Sequence, residues 1–379
     1  MDLVLAHHVP HNRVGHRGHQ VMWPQNLPNQ VHGISNQIFW LSKHPRTIEM
    51  ANPGHLAVVR NGVEAVLQWT QDHPYDNLNL EDADLRGVSL RGAVLAGANL
   101  SRAMMDGMDL QDCDFSDAVL SYASLNCANL AGALLKRVTA SHCKMVEANL
   151  AGARLEQSDF SWSSMIGVTA EDADFSKAEM ISVDLTNAKL QKATFVESVL
   201  IKAQLTLVDA TEATFRGADL VDVVMKDAIL KSCCFLNARL IHADMFGADL
   251  RGAILGDVEL CDLRHADLAD ADLEASRAVD TQFNDADMHD ARLSKADLRG
   301  ADLRGADLTN ADLSDTNLSG TNMTNVRVTA EGFWQQLADH GTKPHDFQNL
   351  LQKWEVIANS NLYGHPTYVL RERTSGTDA

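Results

Sequence analysis

The chain is rich in residues that could do chemistry: six cysteines, sixteen histidines and 51 acids among 379 residues. Their spacing decides whether they do. Seven of the histidines (His7, His8, His11, His16, His19, His32 and His44) crowd the first 50 residues, yet none stands in a Cys/His spacing that would close a zinc module. Nothing reads GxxxxGK[ST], HExxH, CxxC or GxSxG, so phosphate cradling, zinc hydrolysis, dithiol exchange and a nucleophilic serine have no sequence basis. Cys233 and Cys234 are adjacent, which on extended backbone sends one thiol inward and the other outward. The acids recur too evenly to converge on one pocket, and a catalytic acid needs a pocket that perturbs it. The sequence predicts no enzyme, no cofactor and no metal centre.

What spaces these residues is a five-residue beat running from Leu80 to Val328. Leu85, Leu90, Leu95, Leu100, Met105, Leu110, Phe115 and Leu120 mark it, and Ala83, Val88, Ala93, Ala98, Ala103, Met108, Cys113 and Ala118 each stand two residues earlier. On extended backbone, residues two apart share a face, so each unit sends a small and a large apolar side chain inward. A helix cannot hold a strict beat of five on one face. A fixed internal period means that neighbouring units bury one another, which makes the chain a solenoid. Phe175, Phe195, Phe215 and Phe235 recur every 20 residues, with Phe115 in phase. Met105, Met145, Met165, Met225 and Met245 form a second such series. Four quintets per coil would stack each series into a column.

The unit, undisguised in "ADLRGADLRGADLTNADL", resembles the A(D/N)LXX motif of the pentapeptide-repeat family, and the resemblance covers residues 78–328. It implies an all-β solenoid, a right-handed quadrilateral β-helix of about 13 coils at roughly 4.8 Å each, with helical N- and C-terminal caps. Two departures bear on packing. The beat changes phase between Leu260 and Leu263, predicting a kink or bulge over 260–263. Ala140, Ala170, Ala210 and Ala278 take central slots, each predicting a void unless a neighbour or the backbone closes it.

Residues 1–54 read as a His-rich, partly irregular arm. Residues 55–77 read as a capping helix, with Leu56, Val59, Val63, Val66 and Leu67 at helical intervals, Pro74 just beyond, and the Gly62-Val63-Glu64 core and later Trp69 that resemble the helix preceding other pentapeptide coils. Residues 329–379 read as C-terminal helices and a tail: one helix over 330–340, and a second after an Asp346 cap with Phe347, Leu350, Leu351, Trp354 and Ile357 on one face. That stripe leaves two outcomes open, a homodimer (as the resemblance implies for some members) or a cap folded onto its own coil. The start lacks a secretory pattern, no run of 18 apolar residues suggests a membrane span, and four cysteines in repeat slots fit a reducing cytoplasm.

Net charge is −19, of which −17 falls in the repeat block, with 40 acids against 23 bases. Residues 261–328 carry −7 and residues 78–260 carry −10, so the last third is the more negative per residue. Such a surface repels nucleic acid and anionic membranes and attracts basic partners. Its acids Asp267, Asp297, Asp302, Asp307 and Asp312 are candidate partner contacts. Ile181, Ile201, Val221 and Ile241, also 20 apart, predict an outward aliphatic ladder with Trp162 near its top, flanked by Ile166, Val196, Leu236 and Phe246. A contiguous exposed apolar patch marks an interface, self or partner. The expectation is a non-catalytic protein-binding scaffold of unidentified partner. The resemblance implies an alternative, a DNA-mimicking protector of a type II topoisomerase. A third reading is a translocated effector exported through residues 1–50.

Overall fold

The computed structural model describes residues 51–329, 333–334, 347–359 and 367–373. The arm over residues 1–50, most of the helix expected over 330–340 and the Asp346 cap lie outside the described residues.

Each quintet forms one short side and one corner. Parallel pairing joins residues 20 apart on all four sides, for instance Asn99↔Val119, Met104↔Ser124, Asp109↔Asn129 and Asp114↔Leu134. Four quintets therefore close one coil. The inward pairs are buried along the coil, as with Ala98 and Leu100 or Ala103 and Met105, with Val88 and Ala311 partly buried. The phenylalanine column is real: Phe175, Phe195, Phe215 and Phe235 stack with centroids 4.9, 4.9 and 5.0 Å apart and rings within 5° of parallel. The predicted methionine series falls on a second side in the same register.

The corners explain the composition of the repeat. The second corner residue takes left-handed backbone even where it is not glycine, with φ 62° at Tyr122, 58° at His142 and 58° at Trp162. Left-handed backbone costs an L-residue roughly 1–2 kcal/mol, and each corner recovers hydrogen bonds from it. Tyr122 N–H donates to Ser141 O at 3.0 Å and Trp162 N–H to Ile181 O at 2.9 Å. Most of the Asp and Asn residues just before a central residue accept from the amide two residues on: Asp114 from Ser116 at 2.9 Å, Asp159 from Ser161 at 2.8 Å, Asp184 from Thr186 at 3.0 Å. This is an Asx turn, so the acid of the repeat is first a turn-forming residue. Cysteine in the small slot adds a bond that alanine lacks, since Cys113 Sγ donates to Leu90 O at 2.9 Å and Cys233 Sγ to Ala210 O at 3.0 Å.

The alanines in central slots leave the backbone in place. Ala140, Ala170, Ala210 and Ala278 keep their ladder bonds at 2.7–2.8 Å, and Phe160 is the next central residue in the Ala140 column. The phase break lies one unit earlier than the beat suggests. Two corner residues are missing between Leu255 and Val258, and Val258, fully buried, is the central residue. Leu260 is a second corner residue, φ 59° and 41% exposed. Pairing drops from 20 to 18 residues over Arg239↔Asp257, Asp244↔Asp262, Asp249↔Asp267 and Ile254↔Asp272, then returns to 20 at Asp262↔Gln282. The ladder is bonded on either side, from Phe235 N–H to Ile254 O and from Met245 N–H to Asp262 O, each at 2.8 Å. Losing the corner draws Gly256 against the preceding coil, where a Cβ would lie 3.1 Å from Phe235 O and 3.4 Å from Asn237 N.

Before the coil stand two helices rather than one: α1, Pro53–Arg60, and α2, Val63–Asp72. Gly62, at φ 88°, breaks them. Asn52 caps α1 by accepting from Gly54 N–H at 2.9 Å. Val59 and Val66 are buried in the same core as the coil, while Leu67 faces out.

The C-terminal end corrects the helical reading. Strand β1 (Arg327–Val328) continues the last coil, helix α3 covers only Phe347–Lys353, and β2 (Trp354–Asn359) runs antiparallel to β3 (Thr367–Glu372) in the order β1-β3-β2. Trp354 and Ile357 are on a strand. The spacing of Phe347, Leu350, Leu351, Trp354 and Ile357 mimics a helix, but β3 offers a partner along its whole length and covers the coil's open edge, as open edges require. Asn325 N–H donates to Leu370 O and Leu370 N–H to Val326 O, both at 2.9 Å. Phe347, Leu350 and Trp354 are buried in the coil's own core cluster, with Leu351 packed against it. Three of the five stripe residues are therefore covered within the chain, while Leu351 and Ile357 stay half-buried.

Candidate partner-binding surface

One corner of the coil gathers most of what an interface needs. Its first column reads Ser101, Ser121, Ser141, Ser161, Ile181, Ile201, Val221 and Ile241, one residue per coil. The predicted ladder of Ile181, Ile201, Val221 and Ile241 is thus brought together in consecutive coils. All four are half-buried rather than fully outward, because the first corner residue leans against the wall.

The second column reads Arg102, Tyr122, His142, Trp162, Ser182, Lys202, Asp222 and His242. Here the side chains stand clear: Tyr122 is 58% exposed and Trp162 52%. Tyr122 and His142 stack at 4.8 Å and 9°, and His142 and Trp162 at 5.4 Å and 13°. Trp162 was expected near the ladder; Tyr122 and His142 were not. Their signal was present in the sequence, since 122, 142 and 162 share the 20-residue phase that revealed the phenylalanines.

The corners on either side are apolar in part. Ile166 is 37% and Leu236 44% exposed, while Val196 is half-buried. Phe246 is covered, with His265 edge-on at 5.2 Å and Arg264 above its ring at 5.6 Å. Leu207, at 55%, is the most exposed aliphatic of these walls and was not anticipated.

The predicted acids do not form one patch. Asp297, Asp302, Asp307 and Asp312 belong to consecutive quintets and so lie on four different sides; only Asp267 and Asp307 share one, through Asp287. Most are partly neutralised. Asp297 pairs with Arg299 at 2.7 Å, Asp302 with Arg304 at 2.6 Å, Asp307 with Arg327 at 2.9 Å and Asp267 with Arg251 at 3.3 Å. Asp312 binds Ser314. The guanidinium of Arg299 holds the Asp297 carboxyl below its ordinary range. The column that does concentrate acid is Asp249, Asp267, Asp287 and Asp307.

Buried thiols are pushed up by desolvation, Cys113 to about 11 and Cys143, Cys233 and Cys261 to about 12, the reverse of what a nucleophile needs. Among the described residues no cluster of His, Cys, Asp and Glu could hold a metal, and no helix is long and apolar enough to cross a membrane.

Several solved structures are similar to this coil. HetL, a pentapeptide repeat protein involved in heterocyst differentiation regulation from the cyanobacterium Nostoc sp. strain PCC 7120, is 23% identical over 71% of this chain and 97% of its own, with a TM-score of 0.22. Full-length QnrB1, a plasmid-mediated fluoroquinolone resistance protein, is 16% identical over 69% and 98%, with a TM-score of 0.25. A pentapeptide repeat protein of the Arabidopsis thaliana thylakoid lumen is 20% identical over 40% and 74%, with a TM-score of 0.14. No curated protein sequence matches. The model of the pentapeptide repeats family matches in eight copies, from residues 79–117 to residues 286–325. With its quintets, its 20-residue pairing and that match over most of its length, the chain belongs to the pentapeptide-repeat family.

Proposed function

We propose that this chain is a non-catalytic interaction protein, a rigid acidic shaft that offers one corner to a protein partner. The observation that carries the reading is the exposed stack of Tyr122, His142 and Trp162, continued around the same corner by Ile181, Ile201, Val221 and Ile241. Rings held this way have little conformational freedom to lose on binding, which suits them to an anchor role. The reading includes a right-handed shaft of about 13 coils closed at both ends. Free thiols support a cytoplasmic setting. The shaft acts without cofactor. Capture from native lysate tests it: Ile201→Asp with Ile241→Asp, and separately Trp162→Ala, should lose the partner that the parent retains while the far-ultraviolet spectrum stays unchanged. Equal capture by all three proteins would sink the reading.

The acidic column of Asp249, Asp267, Asp287 and Asp307 supports a second reading, DNA mimicry towards a type II topoisomerase, as QnrB1's description as a fluoroquinolone resistance protein invites. The basic partners of these acids, Arg251 for Asp249 and Asp267, His289 for Asp287 and Arg327 for Asp307, and their work in Asx turns, weigh against it. Mimicry requires gyrase binding that salt weakens and duplex DNA competes away. The effector reading rests on residues 1–50 and requires that they direct a reporter out of the cell.

A further inference from the structure

The aromatic column stops after Trp162, and the next coil carries only a serine in the same corner position. Tyr122, His142 and Trp162 fill the second corner position of three consecutive coils, and the next coil has Ser182 there. Ser182 shares their backbone, φ 54°, and its N–H bonds Ile201 O at 2.9 Å. The place is therefore built like the others and lacks only the ring. One face of the Trp162 indole is stacked on His142; among the described residues nothing aromatic covers the other. One coil further stands Lys202, φ 59°, exposed and without an ion-pair partner among the described residues. The Asp222 carboxylate of the coil beyond is turned to His242 at 3.3 Å.

We propose that the gap above Ser182 is a slot for one aromatic side chain of a partner protein, sandwiched between the Trp162 indole and the Lys202 ammonium. The slot rests on the interaction reading above and names what that corner recognises. Two rungs separate Trp162 from Lys202, about 9.6 Å at roughly 4.8 Å each. A ring inserted midway sits ~4.8 Å from each, within stacking distance of the indole and within cation–π reach of the ammonium. The half-buried Ile181 and Ile201 border it in the adjoining column. Charge selects the occupant. A guanidinium could stack on Trp162 but would face Lys202; a carboxylate could pair with Lys202 but gains nothing from the indole. Only an aromatic ring uses both walls. A nucleobase could stack equally well, but its phosphates would meet a repeat block of net charge −17.

The test is a random-heptapeptide display selection on the full chain. The enriched peptides are expected to carry Trp, Tyr or Phe at one fixed position. Their affinity should fall at least tenfold with Trp162→Ala, at least tenfold with Ser182→Tyr, and several-fold with Lys202→Met. Ser182→Tyr fills the slot with the chain's own ring and is compatible with the fold, because Tyr122 occupies the same corner position at φ 62°. Arg, Lys, Asp or Glu at the fixed position would overturn the slot. So would binding unchanged in Ser182→Tyr, the absence of any Trp162-dependent peptide, or an oligothymidylate decamer that binds in place of the peptides. Binding lost in Ile201→Asp with Ile241→Asp but kept in Ser182→Tyr discards the slot and leaves the corner as an interface; binding kept in both discards the two together.

Discussion

Replacing Phe195 by alanine probes the stacked interior where it is most ordered. Phe195 is fully buried and lies between Phe175 and Phe215, 4.9 Å from each. Truncation of a buried phenylalanine costs about 3–5 kcal/mol, and each ring pair contributes ~0.5–1.5 kcal/mol of that. Because a solenoid coil touches only its neighbours, the loss should be local. Hydrogen exchange should accelerate in the coils around residues 175–215 well before the ends of the shaft respond. Urea midpoints for Phe195→Ala and Phe195→Leu separate volume from stacking, since Leu135 and Leu155 hold the same column slot; the leucine variant gives up both ring pairs and should lose about 1–3 kcal/mol, less than the alanine variant. A double-mutant cycle between Phe195 and Phe215 should give a coupling of ~0.5–1.5 kcal/mol, and one between Phe175 and Phe235, three coils apart, a coupling near zero. Equal couplings in the two cycles, or a Phe195→Ala loss below about 1 kcal/mol, would refute the column.

Further outcomes concern the corners and thiols. A thiol reagent at pH 8 should modify Cys127 quickly and the half-buried Cys234 more slowly. Cys113, Cys143, Cys233 and Cys261 should stay silent until denaturant is added; modification of any of the four in the native protein contradicts their burial. Gly256→Ala should destabilise by about 1–3 kcal/mol, because its methyl would meet Phe235 O at 3.1 Å; a melting temperature equal to the parent's would mean that the shortened corner is not tight. The Arg86 side chain, then its backbone amide, holds the Asp84 carboxyl down to about 2, below its unfolded value of roughly 3.9. Such depressed carboxylates favour the folded state above about pH 4, and that contribution is lost as pH falls towards 2. Thermal midpoints should drop mainly over that interval, and a flat profile there would speak against it.

The repeat made the coil legible because each buried pair is also a sequence pair, two residues apart, and because the Phe and Met columns carry their period openly. Legibility failed where another pattern imitates the expected one. Leu260 continues the beat of five but comes after a corner that has been deleted, so the true centre, Val258, looked out of step. Trp354 and Ile357 continue a helical spacing, yet their fold is set by β3 and the open edge of the last coil, partners distant in sequence. The acids invited a reading as surface charge, whereas the turn bonds of Asp114, Asp159 and Asp184 give them a backbone role first. Tyr122 and His142 were visible in phase and overlooked because no single one of them forms a patch.

The register of the Tyr122–His142–Trp162 corner can be measured by cross-linking. In a chain with Cys127→Ser and Cys234→Ser, Ser182→Cys and Lys202→Cys would lie on adjacent rungs, about 4.8 Å apart and within the span of a disulfide. Mass spectrometry should find that bond after mild oxidation, and should find none when Ser182→Cys is combined with Leu207→Cys on the neighbouring corner. A 182–207 bond in place of the 182–202 bond would contradict the twenty-residue coil and the corner built on it.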